Sequence, residues 1–231
     1  MTYFVYNGEC SAEYGVYISG EATFATPKRK TEKVSVAGRN GDLILEDEEF
    51  ENLDLKYPAF IRENLGERLE NFASMLASVS GYVRLEDTYH PEYYRMAHYE
   101  EGFDPKTTPY NRGGKFDIVF DCMPQKFLKS GEKKTVYEAN GVLKNPTRFK
   151  SKPLLRIYGT GSLIIQNQTI TINSADGYTD IDCEIMEAFK GTVNCNANVE
   201  LPDNIYLFGG NNQMTLSGIT KVEVTPRWWT I

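Results

Sequence analysis

The chain has 231 residues, 41% of them hydrophobic and 25% charged, which suffices for real cores and leads us to expect two domains. A net charge of −7 speaks against a broadly basic nucleic-acid-binding protein. No window approaches 18 consecutive apolar residues, which excludes a membrane-spanning helix.

From the N-terminus, Met1 to Glu9 lack the basic start and apolar stretch of a secretion signal, so synthesis and assembly in the cytosol are expected. Tyr3 and Val5, and after Asn7-Gly8 also Tyr14, Val16 and Ile18, alternate as the inward face of strands. A basic cluster, Lys28, Arg29, Lys30 and Lys33, leads into Val34-Ser35-Val36. Gly38-Arg39-Asn40-Gly41 and Leu43-Ile44-Leu45 follow. Asn-Gly between two such runs predicts a hairpin with a type I′ turn, because both central residues need φ > 0. The acidic run Glu46 to Glu51 reads as a solvated loop or strand face.

One segment has helical spacing. Between Arg62 and Val79 apolar residues recur at Leu65, Leu69, Phe72, Leu76 and Val79, with Met75 off the stripe and Gly81 as terminator. Strands are expected at Tyr82 to Leu85 and over Phe116, Ile118, Phe120 and Cys122, the latter closed by Pro124, with a turn at Tyr89-His90-Pro91 between them. Lys129 to Asn145, rich in Lys, Gly and Glu, reads as a linker. It divides a domain at 1–131 from one at 132–231.

Beyond it the pattern is all strand. Leu163 and Ile165 run through Gln166-Asn167-Gln168 into Ile170 and Ile172 as a hairpin. Ile181, Cys183 and Ile185 share a face, as do Ile205 and Leu207, and Val222 and Val224. Short strands at this spacing, without helices, predict a β-sandwich. The fold class is therefore mostly β: an α+β first domain with one helix, then an all-β domain. Charge divides at the same place. Residues 1–131 hold 15 Lys and Arg against 22 Asp and Glu, whereas residues 132–231 hold 10 of each.

Signals for chemistry are weak. His90 and His98 match no metal or triad spacing, and Cys10, Cys122, Cys183 and Cys195 form no CxxC pair and read as small buried thiols. Asp180, Asp182 and Glu184 fall on one face of a strand, where paired carboxylates would bind a hard cation or flank a glycosidic bond. A solvated face opposite the Ile181 core face explains the same pattern. Asn167-Gln168-Thr169 is a glycosylation sequon without a secretory route, and Trp228-Trp229 reads as a core or interface anchor rather than a sugar platform. No catalytic residue, cofactor or metal ligand is assigned, and the chain is read as a non-enzyme.

Several segments, in order, resemble the distal tail protein family of siphophages. They are Val34 to Leu43 with its Gly38-Arg39-Asn40-Gly41 turn, the single helix followed by Tyr82 to Asp87 and Pro91 to Ala97, Phe116 to Phe127, Asn145-Pro146-Thr147 with Lys152 to Leu155, and Thr225-Pro226-Arg227-Trp228-Trp229. Ala37 departs from the family, which often has Pro there. The resemblance implies an N-terminal domain that forms a hexameric ring and a galectin-like C-terminal sandwich outside it. The ring would join the tail tube protein to the tail tip or baseplate, to the tail-associated hub protein and, in some phages, to receptor-binding proteins. It implies a place at the virion tail tip after assembly in the host cytoplasm, with no sequence-specific nucleic acid and no membrane insertion. Candidate inter-subunit charge contacts are Lys28, Arg29, Lys30 and Lys33 with Glu46, Glu48 and Glu49 of a neighbour. A carbohydrate-binding module docking on a bacterial surface is the alternative, and a glycan hydrolase using Asp180, Asp182 and Glu184 a more distant one.

Overall fold

The computed structural model describes residues 1–20 and 24–231, and the side chains of all of these except Glu46, Asp47, Glu48 and Asn111. By contacts the chain forms two compact units, Met1–Lys126 with Ile231, and Phe127–Thr230.

The first unit begins with β1 (Phe4–Tyr6), β2 (Glu9–Cys10) and β3 (Val16–Ile18). An arm of β4 (Arg29–Val34) and β5 (Leu43–Phe50) comes next, then β6 (Leu53–Ile61) and helix α1 (Leu65–Ala77). β7 (Val83–Asp87), β8 (Tyr93–His98), β9 (Lys106–Thr107) and β10 (Gly114–Leu128) complete it. Apart from the arm the strands form one sheet in the order β2-β1-β7-β8-β10-β6-β3, with β9 also on β10. The sheet curls, so that Ile18 at its β3 edge bridges back to Thr2 just ahead of β1. Alternation drives this curl: Phe116, Ile118, Phe120 and Cys122 of β10 and Leu53, Leu55, Tyr57, Ala59 and Ile61 of β6 all point inward. Helix α1 closes the core with Leu65, Phe72, Met75 and Leu76. At the centre Phe120 packs on Tyr6 at 5.0 Å and on Phe4 at 5.4 Å between ring centroids.

The second unit has β11 (Thr135–Tyr137), β12 (Gly141–Asn145), β13 (Leu154–Tyr158), β14 (Gly161–Ile165) and β15 (Gln168–Ile172). β16 (Tyr178–Asp182), β17 (Glu187–Lys190), β18 (Val193–Asn194) and β19 (Val199–Glu200) follow, and β20 (Gly210–Ser217), β21 (Lys221–Thr225) and β22 (Trp229–Thr230) end the chain. All but β22 make two antiparallel sheets, β11-β21-β13-β16-β17-β18 and β12-β20-β14-β15-β19. Leu155, Ile157, Ile181, Val222 and Val224 of one sheet and Leu163, Ile165, Ile170, Ile172 and Met214 of the other share one core cluster, a sandwich. Thus the mostly β class, the single α-helix among the described residues and the all-β second half are as expected.

Five local readings need correction. In β1 the buried residues are Phe4 and Tyr6, not Tyr3 and Val5. The run Tyr3 to Tyr6 is apolar on both parities, and the larger aromatic pair takes the core. The type I′ pattern sits at Asn7-Gly8, with φ of 51° and 87°, joining Tyr6 to Glu9. At the arm the strands stop at Val34 and Leu43, leaving residues 35–42 as a longer loop. There the turn is Val36–Arg39, closed by the Arg39 N–H on the Val36 carbonyl at 3.1 Å, with Gly38 supplying φ 82° at its third position. Met75 is buried in the core. Pro124 does not close β10. Pairing with β6 ends at Cys122, so the missing proline N–H falls where β6 no longer needs it. The span 129–145 is no linker either: it holds β11 and β12, one in each sheet of the sandwich. Its low apolar content reflects strands buried on one face only.

Candidate assembly surface

The arm has the features of an assembly element. Among the described residues β4 and β5 pair only with each other, leaving two outer edges of backbone groups. Leu43, Ile44 and Leu45 are all exposed, Ile44 by 53%. Consecutive exposed apolar residues on an unpaired strand invite pairing with another chain. Gly38, Arg39, Asn40 and Gly41 lie in the loop, where both glycines have φ of 82° and open space around them.

The structure places the charged candidates along the same arm. Lys30 Nζ lies 2.9 Å from Glu49 Oε2 within the chain, and this hydrogen bond holds the Glu49 carboxyl below its usual range. The Arg29 guanidinium stands over the Phe50 ring at 5.1 Å. Lys28 and Lys33 are exposed. The side chains of Glu46 and Glu48 lie outside the described residues.

The carboxylate trio is not the solvated face expected. Asp180 is only 6% exposed and takes two hydrogen bonds from Arg156, at 2.7 and 2.8 Å. Asp182 takes two from Arg227, at 2.7 and 2.9 Å. Burial pushes the Asp182 carboxyl up, but the Arg227 bonds and the Glu184 backbone N–H together hold it below the usual aspartate range. Glu184 is exposed, 4.0 Å from Lys152. Two of the three carboxylates are thus neutralised by guanidinium forks, which removes the open pair that glycoside cleavage or cation binding requires. The alternation misled because β16 ends at Asp182; beyond it Ile185 is 60% exposed rather than in the core.

Other candidates have structural partners. His90 Nδ1 lies 3.5 Å from Asp87, and His98 Nδ1 lies 3.2 Å from the Gly81 carbonyl. Cys122 and Cys183 are buried, which pushes each thiol up to about 12, while Cys10 and Cys195 are half-buried. Trp228 lies in the sandwich core; Trp229 stacks on Phe149 at 4.4 Å and donates to the Lys150 carbonyl at 2.9 Å. On the outer face of the β13-β16-β21 sheet, Tyr158 and Tyr178 stand side by side. Lys221 covers one ring at 3.9 Å and Arg156 the other at 4.3 Å. Cations on these rings compete with the sugar stacking that a carbohydrate platform needs.

Sequence reasoning missed one feature, a buried polar group at the end of β7. Asp87 accepts the backbone N–H groups of Tyr89 and His90 at 2.9 and 2.8 Å and the Tyr57 hydroxyl at 2.7 Å. Beside it Arg95 is 7% exposed. The available signal was an Arg within an inward parity of β8, between two half-buried positions and two residues before buried Ala97.

No family model and no curated protein matches the chain. Solved structures do. The fold is similar over 100% of both chains to the Dit protein (gp 19.1) of phage SPP1, with a TM-score of 0.78 and 15% identity. That protein is described as a paradigm of the hub adsorption apparatus in phages infecting Gram-positive hosts. A chain of the phage P2 baseplate in its activated conformation with Ca is similar over 96% of both chains, with a TM-score of 0.51 and 11% identity. The same baseplate with Sr gives a match over 97% of both, again with a TM-score of 0.51. At these identities the likeness establishes the fold.

Proposed function

We propose that the chain is a structural protein of a phage tail, a hub that joins the tail tube to the tail tip or baseplate of the adsorption apparatus. The observation that carries this reading is the end-to-end correspondence with the SPP1 hub protein, which spans both units rather than one common sandwich. The order of the sequence segments resembling distal tail proteins supports it independently. Its partners are the tail tube protein, the tail-associated hub protein and a receptor-binding protein, and its place is the virion tail tip after assembly in the host cytoplasm. It catalyses no reaction and uses no cofactor.

The ring reading is part of this proposal. Residues 1–131 form a homo-hexamer and residues 132–231 a separate sandwich. The arm supplies the contact: its open ladder edges and Leu43-Ile44-Leu45 cover a neighbour, and Lys28, Arg29 and Lys33 face that neighbour's acidic run, while Lys30 and Glu49 keep their pair within the chain. Surplus acidity on the first domain suits a lumen through which DNA slides, because it repels phosphate.

Antibody labelling of intact tails tests the proposal. Gold at the distal end of the tail is the expected result; particles without label, or labelled along the tube or at the head, would overturn it.

A further inference from the structure

Below the curled sheet of the first unit lies a cavity of about 100 Å³. Arg95 and Lys126 both line it, together with Asp87, Tyr57, Tyr93 and Ile231. Arg95 is nine-tenths buried, yet of its five N–H donors one finds a hydrogen-bond partner among the described residues, the Pro124 carbonyl at 3.2 Å from Nη1. Asp87 is committed elsewhere: its oxygens take the N–H groups of Tyr89 and His90 and the Tyr57 hydroxyl, and His90 stands 3.5 Å away. Among the described residues neither Arg95 nor Lys126 forms an ion pair. Lys126 stands over the Tyr93 ring at 4.9 Å.

The remaining Arg95 donors are free to meet a group in the cavity, and a largely desolvated guanidinium favours an anion there over water. Among the side chains that line the cavity two cations face the one carboxylate of Asp87, which leaves one positive charge for an anion to meet. Burial pushes both Arg95 and Lys126 down, and each is disfavoured further or relieved by its neighbours: the Arg95 charge lowers Lys126, while Asp87 raises both. A doubly charged phosphate would overshoot the balance and meet Asp87. A carboxylate carries one charge, matches the planar fork of Arg95, and fits a space of about three waters, at roughly 30 Å³ each.

We propose that this cavity is a binding site for a single carboxylate group, held by Arg95 and Lys126 against the aromatic wall. A free small carboxylate and an Asp or Glu side chain of an assembly partner present the same group to it. The site does not depend on the hub reading.

The probe is sodium acetate, titrated into the full chain while its thermal unfolding midpoint is followed against sodium chloride and sodium phosphate at matched ionic strength. The expected result is a saturating rise with acetate that chloride and phosphate do not reproduce, because a ligand bound only to the folded state stabilises it by mass action. Lys126→Met should weaken the response several-fold and Arg95→Met should abolish it. If Arg95→Met does not fold, Lys126→Met alone decides. Equal shifts with chloride, a larger shift with phosphate, or an unchanged acetate response in Lys126→Met would overturn the proposal. Sedimentation with and without saturating acetate then separates the two sources. Loss of self-association assigns the site to a side chain of another copy, and unchanged association assigns it to a free carboxylate; both outcomes keep the site.

Discussion

Arg227 and Asp182 form a two-bonded pair, Nη1 to Oδ1 at 2.7 Å and Nη2 to Oδ2 at 2.9 Å, that ties the segment after β21 to the end of β16. Arg227 holds this place from a backbone at φ 54°, a conformation that non-glycine residues seldom adopt. Asp182→Asn should destabilise the protein by about 1.5–3 kcal/mol in urea unfolding at neutral pH, the range for hydrogen bonds to charged groups. The folded carboxyl titrates below its unfolded value, so its stabilisation is fully present above the usual aspartate range. It is lost as pH falls through the lowered folded value, and wild type and variant should converge there. A constant gap down to the acid limit would contradict this origin.

Gly131 carries a second constraint in the same unit. A Cβ at this position would stand 2.3 Å from the Trp228 backbone nitrogen, and the Gly131 carbonyl accepts the Arg227 N–H at 2.9 Å. Gly131→Ala should therefore cost about 1–3 kcal/mol, as overpacking does. It should also shift the emission of Trp228. Unchanged stability and fluorescence would show that the approach is looser than drawn.

The aromatic centre of the first unit gives a third expectation. Phe120→Ala removes a ring that touches Phe4, Tyr6, Tyr57 and Tyr99, and should cost about 3–5 kcal/mol. Calorimetry should show the first unit's transition lowered and the sandwich's unmoved. If both move together, the two parts do not fold separately.

Much of this architecture was legible where periodicity is unambiguous. Leu65, Leu69, Phe72 and Leu76 marked the helix, and Phe116 to Cys122 the inward face of β10, because a single apolar parity leaves one orientation. It failed where residues suit both faces. Tyr3 to Tyr6 offered two aromatic parities, and only packing on Phe120 selects between them. Asp180 looked solvated because a carboxylate's partner across a sheet is invisible along the chain: Arg156 lies 24 residues away and is its direct register neighbour. Arg95 was hidden for the same reason. The strands within 129–145 were missed because β11 and β12 are short and put Val136 and Val142 on the exposed face, so no apolar alternation marks them.

The arm offers the sharpest mutational test of assembly. Ile44 is exposed, so Ile44→Glu should change the stability of the isolated chain by no more than about 0.5 kcal/mol. The same change should weaken self-association strongly, because it puts a charge into the contact and extends the acidic run that follows. Loss of folding, or association equal to wild type, would remove the arm from the interface.

Solution mass at several ionic strengths tests the hub account most directly. Six copies of an acidic first domain repel one another, and salt screens that repulsion over about 30 Å at 0.01 M and about 8 Å at 0.15 M. Sedimentation equilibrium should find six times the 26.2 kDa chain mass, with association strengthening as salt is added and rings visible by negative stain. A hexamer that falls apart as salt rises would show that charge attraction between subunits, not repulsion, dominates the contact. A chain that stays monomeric at every salt and concentration would contradict the ring itself.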